Sequence, residues 1–107
     1  FAVAGAHSPS LRPDDGLLDF LGTGAEFAAK DPVEIAKTSP WLGTLQIWLD
    51  TAEEDPWLER AKELHDILTA RGIDHVWQEY PGGHDWTYWH EHAVDYIRFY
   101  AHALARK

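Results

Sequence analysis

Residues 45–49, Leu45-Gln46-Ile47-Trp48-Leu49, form a nearly continuous apolar run. Such a run suits a strand covered on both faces, as in a parallel sheet. Asp55-Pro56 follows, a capping residue and a proline placed to open a helix. In that helix Leu58, Ala61, Leu64 and Leu68 recur at helical spacing, and Gly72 stands where a C-terminal stop belongs. His75 to Tyr80 then reads as a second strand. Strand, helix and strand predict a β-α-β unit, which requires a parallel pair joined by a right-handed crossover.

Upstream, Phe1 to Ala6 is apolar and small and reads as a buried strand, broken by Pro9 and Pro13. Asp14 to Phe20 is expected to form a short helix, ended by Gly22 and Gly24. Asp31-Pro32-Val33-Glu34 marks another helix start, with Asp31 as cap, and that helix stops before Pro40. Downstream, Trp89, Ala93, Tyr96, Ile97, Tyr100 and Leu104 form an apolar stripe on a last helix, with basic Arg106 and Lys107 at its end. The fold class is therefore α/β, with about three parallel strands and flanking helices.

A chain of 107 residues makes one domain, or part of one, with a modest core. Six tryptophans argue for a folded chain. The 18 acidic residues outnumber the 9 basic ones, and a net charge of −9 disfavours nucleic acid as a partner. No apolar run approaches the ~20 residues of a membrane span. With no cysteine there can be no disulfide, thiolate metal site or Cys nucleophile. The chain has no methionine and opens on Phe1-Ala2-Val3 in mid-strand, so it is expected to continue a domain whose N-terminal part lies upstream. The first strand should then show an unpaired edge, prone to homo-oligomer formation.

Ligands of open parallel sheets bind beyond the carboxyl ends of the strands. Three loops leave such ends: His7 to Pro13, Thr51 to Pro56, and Pro81 to Trp86. Neighbouring strands lie ~4.8 Å apart, so Asp55 and His84 can meet within hydrogen-bond reach. A carboxylate that orients an imidazole is the base half of a nucleophilic triad. Each residue also has a plainer role, Asp55 as a helix cap and His84 as a loop histidine. Asp50, at the strand end itself, is the rival acid. The glycines before His84 allow a tight turn, which favours a placed histidine. His84, His90 and His92 do not read as a metal site, because positions 90 and 92 point about 200° apart on a helix. Ser8 is not in a G-x-S-x-G elbow, and Pro9 disfavours one, so Ser8 counts as pocket lining at best.

Two stretches carry a family resemblance. Ile47-Trp48-Leu49-Asp50-Thr51-Ala52-Glu53-Glu54-Asp55-Pro56-Trp57 resembles the acid-bearing strand and loop of the esterase D / enterochelin esterase-like branch of the α/β-hydrolases. Tyr80-Pro81-Gly82-Gly83-His84-Asp85-Trp86 resembles the histidine turn of that branch, and Phe1 to Pro9 is similar to the strand after its nucleophile helix. The resemblance implies that residues 1–107 are a single, partial, C-terminal α/β-hydrolase segment. It further implies a serine esterase that cleaves carboxylic esters through an acyl-enzyme. Asp55 would be the triad acid, His84 the base, and His7, Trp57 and Trp86 would lie near the pocket. The nucleophilic serine would come from an upstream segment, without which the chain should be inactive. No cofactor is implied, and the partners are a small-molecule ester and that upstream segment. The alternative is a non-catalytic α/β-hydrolase-like binding module with an aromatic surface.

Overall fold

The structure, a computed structural model, describes residues 3–105. Three strands form one parallel sheet in the order β1-β2-β3: β1 Val3–His7, β2 Gln46–Ala52 and β3 Val76–Tyr80. The helices are α1 Ala25–Ala28, α2 Pro32–Thr38, α3 Leu58–Ala70 and α4 Trp86–Ala105. Strand β2 is central, as its apolar run predicted, and its last four residues are buried. His7 stands level with Asp50, and Ala52 with Tyr80, so all three strands end at one edge.

Successive side chains of β2 point to opposite faces. On one face Ile47 packs with Ala36 of α2, Leu68 of α3 and Ile73. On the other, Trp48 meets Tyr96 and Phe99 of α4. The sheet is thereby sandwiched between α2 and α3 on one side and α4 on the other.

Local chemistry sets the helix ends. The Asp31 carboxylate accepts from the Val33 N–H at 3.1 Å and Pro32 opens α2, as expected. Helix α3 ends as a Schellman motif. The Gly72 N–H donates to the Thr69 carbonyl and the Ile73 N–H to the Leu68 carbonyl. Gly72 takes φ +68°, and Ile73 packs on Leu68. The start of α3 differs from expectation. The Asp55 carboxylate holds the Trp57 N–H at 2.7 Å in a turn, and the helix begins at Leu58.

Further expectations are corrected. Residues 14–20 form bends and one 3₁₀ turn, Asp19–Leu21, rather than a helix. There the Asp15 carboxylate holds the Leu17 N–H and the Asp14 carboxylate holds the Gly24 N–H, offering the backbone an alternative to the helix. The short α1, which sequence reasoning missed, follows Gly24. Strand β1 is not buried throughout: Ala4 and Gly5 are exposed, and its outer edge pairs with no strand among the described residues. On α4 the buried positions are Tyr88, Tyr96 and Ala103, while Ile97 and Leu104 face solvent. Phe1, Ala2, Arg106 and Lys107 lie outside the described residues.

Candidate active site

The loops after β1, β2 and β3 converge beyond the carboxyl edge of the sheet. Backbone bonds hold them together: Ser8 N–H to the Asp50 carbonyl, Glu53 N–H to that of Tyr80, and Glu54 N–H to that of Gly82. Asp55 follows directly and is almost fully buried. On the neighbouring loop Gly82, at φ +121°, makes the turn that delivers His84. Asp85 then caps α4, its carboxylate accepting from the Tyr88 N–H at 3.0 Å.

Asp55 and His84 meet. The Nδ1–H of His84 donates to Oδ2 of Asp55 at 2.8 Å, while the imidazole stays partly open to solvent. This bond leaves a lone pair on Nε2, the tautomer a general base needs. Oδ1 of Asp55 is held by the Trp57 N–H. Nε2 of His84 faces Oγ of the exposed Ser10 at 3.2 Å. The first loop thus places a hydroxyl where a triad presents its nucleophile, although Ser10 lies in no G-x-S-x-G turn. Ser8 is buried, and its Oγ donates to Oδ2 of Asp55. Sequence reasoning placed Ser8 no closer than pocket lining and overlooked Ser10. The Ser8-Pro9-Ser10 spacing beside two prolines was the available signal.

Asp50, the rival acid, occupies a separate site. It is fully buried and accepts from Trp48 Nε1 at 2.8 Å, His7 Nδ1 at 2.8 Å, Tyr96 at 3.1 Å and Tyr88. Burial, and then the bond to Asp50, push the Tyr88 phenol well above its ordinary pKa, and burial beside Asp50 does the same for Tyr96. Both therefore stay protonated and donate. Asp50 ties β2 to α4, and no hydrogen bond joins it to His84.

His7 belongs to this network rather than to the Asp55–His84 pair. Its Nε2 meets the Tyr100 hydroxyl at 2.6 Å and its ring stacks on Tyr96. The Arg12 guanidinium lies 4.9 Å above the Trp57 ring, at the rim of the same loop cluster. Trp86 is 82 % exposed and touches Trp89 edge-on. Trp89 is the tryptophan that meets the site: its ring lies 5.0 Å from that of His84, and its Nε1–H donates to the His7 carbonyl at 2.9 Å. His90 is exposed while His92 stacks on Tyr80, so these two histidines diverge. Among the described residues no three His, Asp or Glu side chains converge as metal ligands, and no helix is long and apolar enough to cross a membrane.

A concavity lies at the opposite sheet edge, lined by residues 43–47 and 74–76 and by Phe99. Its lining includes Asp74 and His75, but the His75 ring bonds to the Ile73 carbonyl and to His65 rather than to a carboxylate, so the chemistry rather than the depth of the surface locates the candidate site.

Residues 1–99 match the family described as "Putative esterase", and the chain belongs to that family. Its fold is similar to that of a solved ferulic acid esterase, with a TM-score of 0.77 at 21% identity. The match covers 92% of this chain and 40% of that esterase, so the chain spans well under half of its length. No curated protein sequence matches the chain.

Proposed function

We propose that this chain is the acid- and histidine-bearing part of a serine esterase that hydrolyses carboxylic esters through an acyl-enzyme. In this mechanism a serine hydroxyl from an upstream segment attacks the ester carbonyl carbon. Nε2 of His84 takes the hydroxyl proton as the Oγ–C bond forms, and Asp55 stabilises the resulting imidazolium through Nδ1–H. The imidazolium returns the proton to the departing alcohol as the C–O bond breaks. A water molecule, deprotonated by His84, then releases the acid and restores the serine.

The observation that carries this reading is the 2.8 Å bond from His84 Nδ1 to Asp55 Oδ2, with Nε2 turned toward a hydroxyl. Membership of the esterase family supports the reaction class. The test joins the chain to the nucleophile-bearing segment and measures hydrolysis of p-nitrophenyl acetate and of a methyl ferulate probe. Full activity in His84→Ala would overturn the assignment.

A non-catalytic binding module is the competing reading, favoured by the exposed rings of Trp86 and Trp41. Absence of any acyl-enzyme burst in the joined protein would select it.

A further inference from the structure

Ser8 combines three properties seldom found together. It is 1 % exposed, it holds φ +51°, and its hydroxyl is bonded to the acid of the candidate site. It is also the one non-glycine residue with positive φ among those described. A left-handed backbone is strained for an ordinary residue, and glycine would avoid most of that strain. The backbone does not need the side chain, because the Ser8 N–H is already satisfied by the Asp50 carbonyl at 2.9 Å. What the hydroxyl adds is its bond to Asp55.

We propose that Ser8 is a positioning residue, whose buried hydroxyl fixes Oδ2 of Asp55 so that His84 is held with its proton on Nδ1. This inference rests on the Asp55–His84 reading above. Two donors, Ser8 Oγ–H and His84 Nδ1–H, converge on the same oxygen, and Oγ stands 3.4 Å from Nδ1. The Trp57 N–H anchors the other oxygen. With both oxygens held, the carboxylate cannot turn about its Cβ–Cγ bond, and Oδ2 stays aimed at Nδ1. Without Ser8, Oδ2 loses one of its two donors, and the Nε2–H tautomer competes. A histidine protonated on Nε2 cannot accept a proton from a nucleophile.

The test uses the 107-residue chain labelled with ¹⁵N, with long-range ¹H–¹⁵N correlation of the imidazoles as the readout of tautomer. His84 in the unaltered chain is expected as Nδ1–H. Ser8→Ala retains the backbone strain, whereas Ser8→Gly relieves it. Both should move His84 several-fold toward Nε2–H while near-ultraviolet circular dichroism shows a retained fold. In the joined protein both should lower kcat about 10²-fold, the scale of a misplaced group, with KM nearly unchanged. An unchanged tautomer in a folded Ser8→Gly chain would overturn the proposal. So would a shift in Ser8→Ala alone, which would implicate strain rather than the hydroxyl, or loss of fold in both variants. If the unaltered chain itself shows His84 as Nε2–H, the Asp55–His84 pairing fails first, and the role of Ser8 falls with it.

Discussion

Asp50→Asn separates the two candidate acids by what each supports. In the folded chain Oδ2 of Asp50 accepts from Trp48 and His7, and Oδ1 accepts from Tyr88 and Tyr96. An asparagine replaces one of these oxygens with an NH₂ group, so one pair of buried donors loses its acceptor and faces another donor. Each stranded donor costs about 1–3 kcal/mol. Rotation of a hydroxyl or of the His7 ring recovers part of this, leaving a loss of about 3 kcal/mol. That is a large share of the 5–15 kcal/mol typical of a domain. For a chain of this size it lowers Tm by roughly 10–20 °C. Urea unfolding followed by tryptophan fluorescence measures it directly, since Trp48 is itself a donor to Asp50. Asp55→Asn should destabilise less, because the Asp55 loop lies at the sheet edge and holds fewer core donors. A loss below about 1 kcal/mol for Asp50→Asn, or a larger loss for Asp55→Asn, would refute the division into a structural and a site acid.

Further outcomes are expected. In the joined protein Asp55→Asn should lower kcat/KM by roughly 10⁴-fold, His84→Ala by about 10⁶-fold, and Ser10→Ala by less than about tenfold; abolished activity in Ser10→Ala would make Ser10 itself the nucleophile. A methyl at position 5 would overlap the Tyr100 hydroxyl, so Gly5→Ala should displace Tyr100 from His7 and cost about 1–3 kcal/mol by chemical denaturation. Asp31 caps α2 and also receives Arg60 of α3 at 2.6 Å, so Asp31→Ala should destabilise by about 2 kcal/mol, more than a cap alone. His65 stacks on Trp77 and bonds to His75, and burial, followed by the neighbouring His75, lowers its pKa. Below about pH 6.5 the unfolded chain therefore binds a proton that the folded chain resists, so stability present above that pH declines as pH falls. The decline should be smaller in His65→Phe, as read by denaturation midpoints across pH 5–8.

The elements legible in the sequence were those whose signals are local. The apolar run at Leu45–Leu49, the proline after Asp31 and the glycine after α3 each act within a few residues, and each marks its element. The misreadings arose where local and distant effects compete. Asp14 and Asp15 looked compatible with a helix, but their carboxylates hold nearby backbone N–H groups. The stripe on α4 was right at Trp89, Ala93, Tyr96 and Tyr100 but wrongly included Ile97 and Leu104, which face solvent, and it omitted Tyr88, whose hydroxyl bonds to the buried Asp50. The partners of His7, Asp50 and Tyr100, lie far from it along the chain, so its bonds had no local signal.

The linear order of strand, helix and strand determined the parallel sheet, and with it the edge where Asp55 and His84 could meet. That inference needs only element types and chain direction, since parallel strands end together. Element order alone left Asp50 as a rival to Asp55, the acid that the resemblance implies, and it could not place Ser8 and Ser10. The hydrogen bonds that decide these questions join residues far apart in the chain, with directions set by strand register and packing. Only the tertiary structure decided that Asp50 faces the tyrosines of α4 while Asp55, in the loop beyond the strand, meets His84 and Ser8.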